Sequence, residues 1–492
     1  MEFRPPDVSR RTLLKAGAAL ALFDGLTWIP ARPALAATTL PDVQFDIGAF
    51  IAPATSVDGV QVQFGPVHTH FLTANLKRVP TAADQAAFAN ALDTIESAYE
   101  FSPAGVFVFV SYGLSYFSRL PGGLNGGSVS ANHIPRLIFD SNRFALEEAK
   151  AAPTDAGQPG IVKRKFDIAP QIGGTDVLFT IRSDDPVIVQ AVSQFLRSTL
   201  STLNGQPVTP PKLPLTWTTI RAMVSQRGYP RTLAAREALY YADRINDDSP
   251  MWMGFADQHT AGSGPAAAVT FAGNASSRLS NARAGDYFDN GSIQHLSHLI
   301  LDLEAFYARV GEAGAAEDET YLERVQYMFR SDPPPSFGGG GDPFENGGGP
   351  AYLPNTFQGI GDAALAAQGV NTPGNVHRIG HVSALQQSSR AADGTPLHIR
   401  MDGIGYDTMD VPDIIVRPGK SGNVPKLQFT AFVPTADFFD QMRRSQAALN
   451  LQTQFVVDPL DNGLERFLTA TRRQNFLVPP RRHRAFPLVE LA

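Results

Sequence analysis

Cysteine is absent from all 492 residues. That absence removes disulfide staples, iron–sulfur clusters, thiolate-ligated metal centres and cysteine-held zinc from consideration. Any metal has to be held by histidine or carboxylate. Basic residues are also in deficit, with 41 Lys and Arg against 47 Asp and Glu. A nucleic-acid partner would require a basic face to neutralise phosphates, so none is expected. Past the first residues the chain has no apolar run that approaches the roughly 20 residues needed to cross a bilayer, and no stable membrane span is expected. Three motifs are missing as well: the phosphate-cradling Gly-x-x-x-x-Gly-Lys, the dinucleotide Gly-x-Gly-x-x-Gly and the hydrolase elbow Gly-x-Ser-x-Gly.

What is present begins at the N-terminus. Ser9-Arg10-Arg11-Thr12-Leu13-Leu14-Lys15 carries paired arginines ahead of an apolar stretch from Ala16 to Phe23, and Ala34-Leu35-Ala36 supplies small residues at a cleavage site. The pattern predicts a twin-arginine signal peptide over residues 1–36, read by the twin-arginine export machinery and removed after export to the periplasm or beyond. Its loss takes away five basic and three acidic residues, leaving 36 against 44 and a formal charge of −8. The twin-arginine route carries folded proteins, often with a cofactor already inserted.

Periodicity divides the remainder. Val43–Ile51 and Val60–Phe71 alternate as strands, and Thr81–Tyr99 places Phe88, Leu92, Ile95 and Tyr99 at helical spacing behind a Thr81 cap. Gly105–Ser111 is a buried strand, Asp176–Arg182 another, and Pro186–Leu203 a helix. Pro207–Thr218 is proline-rich and reads as a linker. Later, Ile293–Tyr307 opens as a strand, Lys426–Val433 is a strand and Thr435–Leu449 a helix. The order predicts an α+β fold of two similar halves, 42–215 and 241–492, each an antiparallel sheet with helices on one face. Residues 331–354 hold Pro333-Pro334-Pro335, Gly338–Gly341 and Gly347–Gly349, a Gly/Pro-rich insertion that favours neither helix nor strand.

Three separated segments carry the chemistry. Met253-Gly254-Phe255-Ala256-Asp257-Gln258 resembles the distal haem motif Gly-x-x-Asp-Gly of the dye-decolourising peroxidases, with Gln258 at the second glycine. Ile379-Gly380-His381-Val382 is similar to that family's segment bearing the iron ligand, with His377 four residues earlier as a competitor. Arg400, in Ile399-Arg400-Met401-Asp402, follows His381 at the remove of the family's distal arginine. The order of the strands and helices around these segments is similar too, over roughly residues 42–488.

The resemblance implies two ferredoxin-like halves with haem b in the second. It makes His381 the iron ligand, with Asp437 as a candidate carboxylate behind it. Asp257 would be the acid–base residue that moves a proton between the oxygens of hydrogen peroxide, and Arg400 would stabilise the negative charge that builds as the O–O bond breaks. Gly254, Phe255, His298 and Asp402 would contact the cofactor, His298 standing where the family's strand usually carries arginine. Trp252 or Tyr406, if at the surface, would relay single electrons from an unidentified organic donor; the alternative for either is a place in the core. Two other readings remain: a divergent, non-catalytic member of the same fold, or a periplasmic haem- or iron-handling protein. His68-Thr69-His70, with two imidazoles on one strand face, is a weaker metal-binding pattern. Assembly into a homo-oligomer is left open by the sequence.

Overall fold

Phe107–Gly113 reads Phe-Val-Phe-Val-Ser-Tyr-Gly, and all of its residues are buried. A strand of β-branched and aromatic residues covered on both faces needs a layer on each side. The computed structural model supplies both. It describes residues 40–57, 60–151, 166, 168–245, 249–253, 263–273, 279–308, 396–411, 422–449, 453 and 464–492. The expected signal peptide and the insertion 331–354 lie outside the described residues.

Eight strands close into one antiparallel barrel. In chain order they are β1 (His68–Leu76), β2 (Phe107–Gly113), β3 (Val177–Ser183), β4 (Leu215–Val224), β5 (Ser292–Leu301), β6 (Gly403–Asp407), β7 (Val424–Val433) and β8 (Leu468–Val478). The first four pair in the order β4-β1-β3-β2 and the last four in the order β8-β5-β7-β6. Each half thus runs fourth, first, third, second. The halves meet at two short seams, Phe476 and Leu477 of β8 against Gly113 and Tyr112 of β2, and Ile404 of β6 against Val224 of β4. Where two separate sheets were expected, the sheets are two arcs of one barrel. Closure pairs the edge strands that separate sheets would leave open to aggregation. Gly403 lies in one seam, where an added Cβ would fall 2.8 Å from the backbone oxygen of Val224, a close approach that only glycine permits.

Alternation along the strands sorts side chains between barrel and helix layer. Inside the barrel, Ser111, Thr180, Gln294 and Thr430 share one network from four strands. Ser111 Oγ donates to Gln294 Oε1 at 2.5 Å, and Gln294 Nε2 donates to Thr180 at 3.0 Å and Thr430 at 3.3 Å. Outside it, Leu72, Val108, Val110, Phe179 and Ile181 form one core with α1 (Ala82–Ala98) and α2 (Pro186–Leu196), through Phe88, Ile95, Val189, Val192 and Phe195. Thr81 begins α1 with a capping box closed by Asp84, and Asp185 caps α2 just ahead of Pro186. α3 (Ala436–Ala447), capped by Thr435, covers the second half.

Residues 481–489 return to the first half. Phe486 packs against Phe88 at 4.9 Å between ring centroids. Tyr112 donates to the Arg484 carbonyl at 2.7 Å, Tyr116 donates to that of Pro487 at 2.9 Å, and Arg481 and Arg484 both pair with Glu96.

Two expected elements differ. Val43–Ile51 is not a strand; it turns through a short 3-10 helix, Gly48–Phe50, and its Phe45 stacks on Phe432 at 4.2 Å. The expected linker Pro207–Thr218 runs into β4, whose Leu215 and Trp217 pair with Leu76 and Ala74. Its prolines precede the strand rather than interrupt it. None of the described helices is long and apolar enough to cross a membrane.

Candidate active site

The helix-facing side of the second half opens into a narrow cleft with a free volume of about 50 Å³. Strand alternation selects its floor: Ser297 and Leu299 from β5, Leu427 and Phe429 from β7, and Arg473 from β8. α3 contributes Phe439, Met442, Arg443 and Gln446; Leu464 and Leu468 close one side, and Arg400 and Asp402 border another. The walls are mostly apolar and carry three guanidinium groups. Arg443 is held by a two-pronged pair with Glu465, at 2.8 and 3.1 Å, with both side chains buried. The pair fixes the Arg443 side chain at the wall.

Beneath the floor lies a polar trio. His295 stacks on Phe439, with ring centroids 3.6 Å apart. Its Nδ1 is 2.7 Å from Asn475 Oδ1, and its Nε2 is 2.5 Å from Ser297 Oγ. Asn475 Nδ2 donates to the Glu147 carbonyl at 3.0 Å, which turns Oδ1 toward the imidazole. That orientation assigns the ring proton to Nδ1 and leaves Nε2 to accept from the Ser297 hydroxyl. Burial pushes the His295 pKa well below its ordinary value, the Asn475 hydrogen bond opposes this, and Arg473 and Arg443 push it further down. The imidazole is therefore neutral. Ser297 turns its oxygen lone pairs, rather than its proton, toward the cleft.

Of the residues singled out in the sequence, Arg400 and Asp402 border this cleft. Arg400 is half-buried in the short strand Ile399–Arg400, paired with β7, and Asp402 is buried. His298 is not brought there. It sits on the barrel side of β5, its Nδ1 hydrogen-bonded to Gln428 Oε1. Burial, then the positive charge of Arg221, holds its pKa far below the ordinary value, with Lys426 and Arg472 adding to the depression. Asp437 is likewise engaged elsewhere, accepting from Arg143 at 2.5 Å and Gln441 at 2.8 Å. Trp252 and Tyr406 are buried rather than at the surface; the Trp252 indole donates to the Gly405 carbonyl at 3.2 Å, and the two rings lie 6.2 Å apart. Gly254, Phe255, Asp257, Gln258, His377 and His381 lie outside the described residues. Among the described residues no group of three or more His, Asp or Glu is arranged to hold a metal ion.

The sequence reading passed over Ser297, His295, Phe439 and Arg473. The signal was there in the period-two alternation of β5, where 295, 297 and 299 share a face that 298 does not.

A family model described as a family of unknown function, DUF7405, matches residues 66–134 and 149–480. No curated protein matches the chain. Among solved structures, a dye-decolourising-type peroxidase protein from Shewanella oneidensis is similar at 14% identity and TM-score 0.45, covering 85% of this chain and 94% of that one. A Rhodococcus jostii DypB variant in complex with heme is similar at 14% identity and TM-score 0.46, covering 86% and 96%. A dye-decolorizing peroxidase from Bacteroides thetaiotaomicron is similar at 12% identity and TM-score 0.44, covering 87% and 96%.

Proposed function

We propose that this chain, which belongs to the DUF7405 family of unknown function, is an exported haem-dependent peroxidase built on two ferredoxin-like halves. The observation that carries the reading is the chemistry of the cleft in the second half. Leu299, Leu427, Phe429, Phe439, Met442, Leu464 and Leu468 form apolar walls, and Arg400, Arg443 and Arg473 stand among them. Haem b has that composition, an apolar macrocycle with two carboxylates at one edge. The guanidiniums fit the carboxylates and the aliphatic and aromatic side chains fit the ring.

Haem, when bound, supplies the redox chemistry, taking two electrons to peroxide and recovering them singly from organic donors. The chain's own residues supply position and charge. Asp257 would hold and move the proton between the peroxide oxygens. Arg400 cannot lose its charge at any working pH and would stabilise the negative charge developing on the departing oxygen. His381 would hold the iron through its imidazole. Asp402, buried beside Arg400 on the cleft border, would orient that guanidinium. Ser297, with its hydroxyl proton committed to neutral His295, would offer only acceptor lone pairs to a group bound in the cleft.

The test is the visible spectrum of residues 37–492 prepared with haem, beside His381→Ala. A strong Soret band that is lost or shifted in the variant supports the reading. Asp257→Ala should then retain the band and lose at least about 100-fold in peroxide turnover, the scale of one acid–base group. No Soret band in either protein would end the haem proposal.

A further inference from the structure

A second cavity lies at the mouth of the barrel, where β1 and β6 begin and β3 and β4 end. It has a free volume of about 510 Å³ and is open toward solvent. Its walls are Phe45, Ile47 and Ile51 from the segment ahead of the barrel, with Ile399 and Met401 opposite. One side chain stands out on this surface. Arg182, at the end of β3, lines the cavity and is 7% exposed. Its Nε donates to Thr69 Oγ1 at 3.2 Å and its Nη2 to the Pro66 carbonyl at 3.4 Å. Both acceptors are neutral. Among the described residues no carboxylate lies within the 4 Å of an ion pair, and Asp184, the charged group acting on it, does so from a distance. Burial pushes the guanidinium pKa down to about 9, so it remains charged at neutral pH.

A buried cation without a bonded counter-ion is costly, because nothing replaces the hydration it gave up. Three other strongly buried cations have such a partner: Arg221 has Asp410, Lys426 has Asp407, and Arg443 has Glu465. Arg182 has a cavity. Two carboxylates share its wall, Asp46 on the exposed side and Asp402 beside Arg400. They limit how much negative charge the space will accept, and a polyanion would meet them.

We propose that this cavity is a second binding site, taking an amphiphilic monoanion, an aromatic or long-chain carboxylate or sulfonate, with Arg182 anchoring the charged group. The apolar body lies along Phe45, Ile47, Ile399 and Met401. Arg400 and Asp402 border both this cavity and the cleft, so the bound anion sits one side chain away from the proposed haem site.

Binding is measured on the haem-free full chain with anilinonaphthalene sulfonate and its sulfonate-free analogue, phenylnaphthylamine, by fluorescence titration. The anionic probe should bind about tenfold more tightly than the neutral one, the ratio worth one charge-assisted contact. Arg182→Gln should remove that preference and leave the neutral probe within about twofold, and Arg182→Lys should keep part of it. Equal affinity for the two probes in the parent, or undiminished sulfonate binding in Arg182→Gln, overturns the proposal. If circular dichroism shows Arg182→Gln to be unfolded, the parent's preference and its partial retention in Arg182→Lys decide. A chain that prefers the anion but gives no Soret band keeps this site and loses the haem reading; the reverse result does the opposite.

Discussion

Each half of the barrel buries a histidine against a serine hydroxyl, and the two pairs are used differently. In the first half His70 Nδ1 is 2.9 Å from Ser193 Oγ, and that hydroxyl donates onward to the Val189 carbonyl at 2.7 Å, all within the closed layer under α2. In the second half the His295–Ser297 pair is joined by Asn475, Arg443 and Arg473, and Ser297 forms part of a cleft floor. The strand order is the same in both. What differs is the layer between sheet and helix: apolar and filled in the first half, charged and open in the second. A duplicated architecture can thus keep one copy as scaffold and place reactive groups on the other without disturbing the barrel they share.

The sharpest break of that comparison is a pair of truncations. Phe88→Ala empties a site that is 0% exposed in the filled layer and should cost about 3–5 kcal/mol in urea unfolding. Phe439→Ala, whose ring already borders the cleft, should cost clearly less, because fewer contacts are lost and solvent can occupy the space. Equal losses would mean that the two layers are packed alike. Next in size is Glu465→Gln. It leaves the buried Arg443 guanidinium without its counter-charge, an expected cost of about 3 kcal/mol.

The smallest effect, counted per pH unit, is the dependence on pH. His68 and His70 have pKa values pushed down to about 3 and about 4 by burial, with His70 adding to the depression of His68. Above pH 6.5, their ordinary value, both are neutral whether folded or unfolded, and their contribution to stability is fully present. As pH falls below that, the unfolded chain takes up protons that the folded chain refuses. Stability is lost progressively until the pH reaches the folded values. Each histidine contributes a slope of up to about 1.4 kcal/mol per pH unit. His70→Gln should flatten the stability profile between pH 6.5 and 4 by one proton's worth. An unchanged profile would show that the acid sensitivity lies with His295 and His298 in the other half.

Local elements were legible in the sequence because their causes are local. Thr81 and Asp84 announce the start of α1, and the run Val106–Val110 could only be a doubly covered strand. The seams were not legible. They join Tyr112 to Leu477 and Val224 to Ile404, and no spacing rule relates positions so far apart. The same limit governed the site. Arg400 and Asp402, singled out by their resemblance to a family motif, border the cleft, but placing His295 rather than His298 beneath it required knowing which face of β5 the helix covers. That choice is made by register against Gln428 and Asn475, more than a hundred residues downstream. Proline near Pro207 was read as a boundary because composition cannot distinguish a linker from the approach to a strand.

The return of residues 481–489 to the first half has a consequence for the order of events in the cell. Tyr112 and Tyr116 lie in the earliest quarter of the chain, yet their hydroxyls find their acceptors in its closing residues. Until those residues leave the ribosome, the first half exposes a seam and two phenols that must stay hydrated. Synthesis therefore cannot deliver the halves as independently finished units, and a chain halted before Arg481 would be incomplete at its beginning as much as at its end.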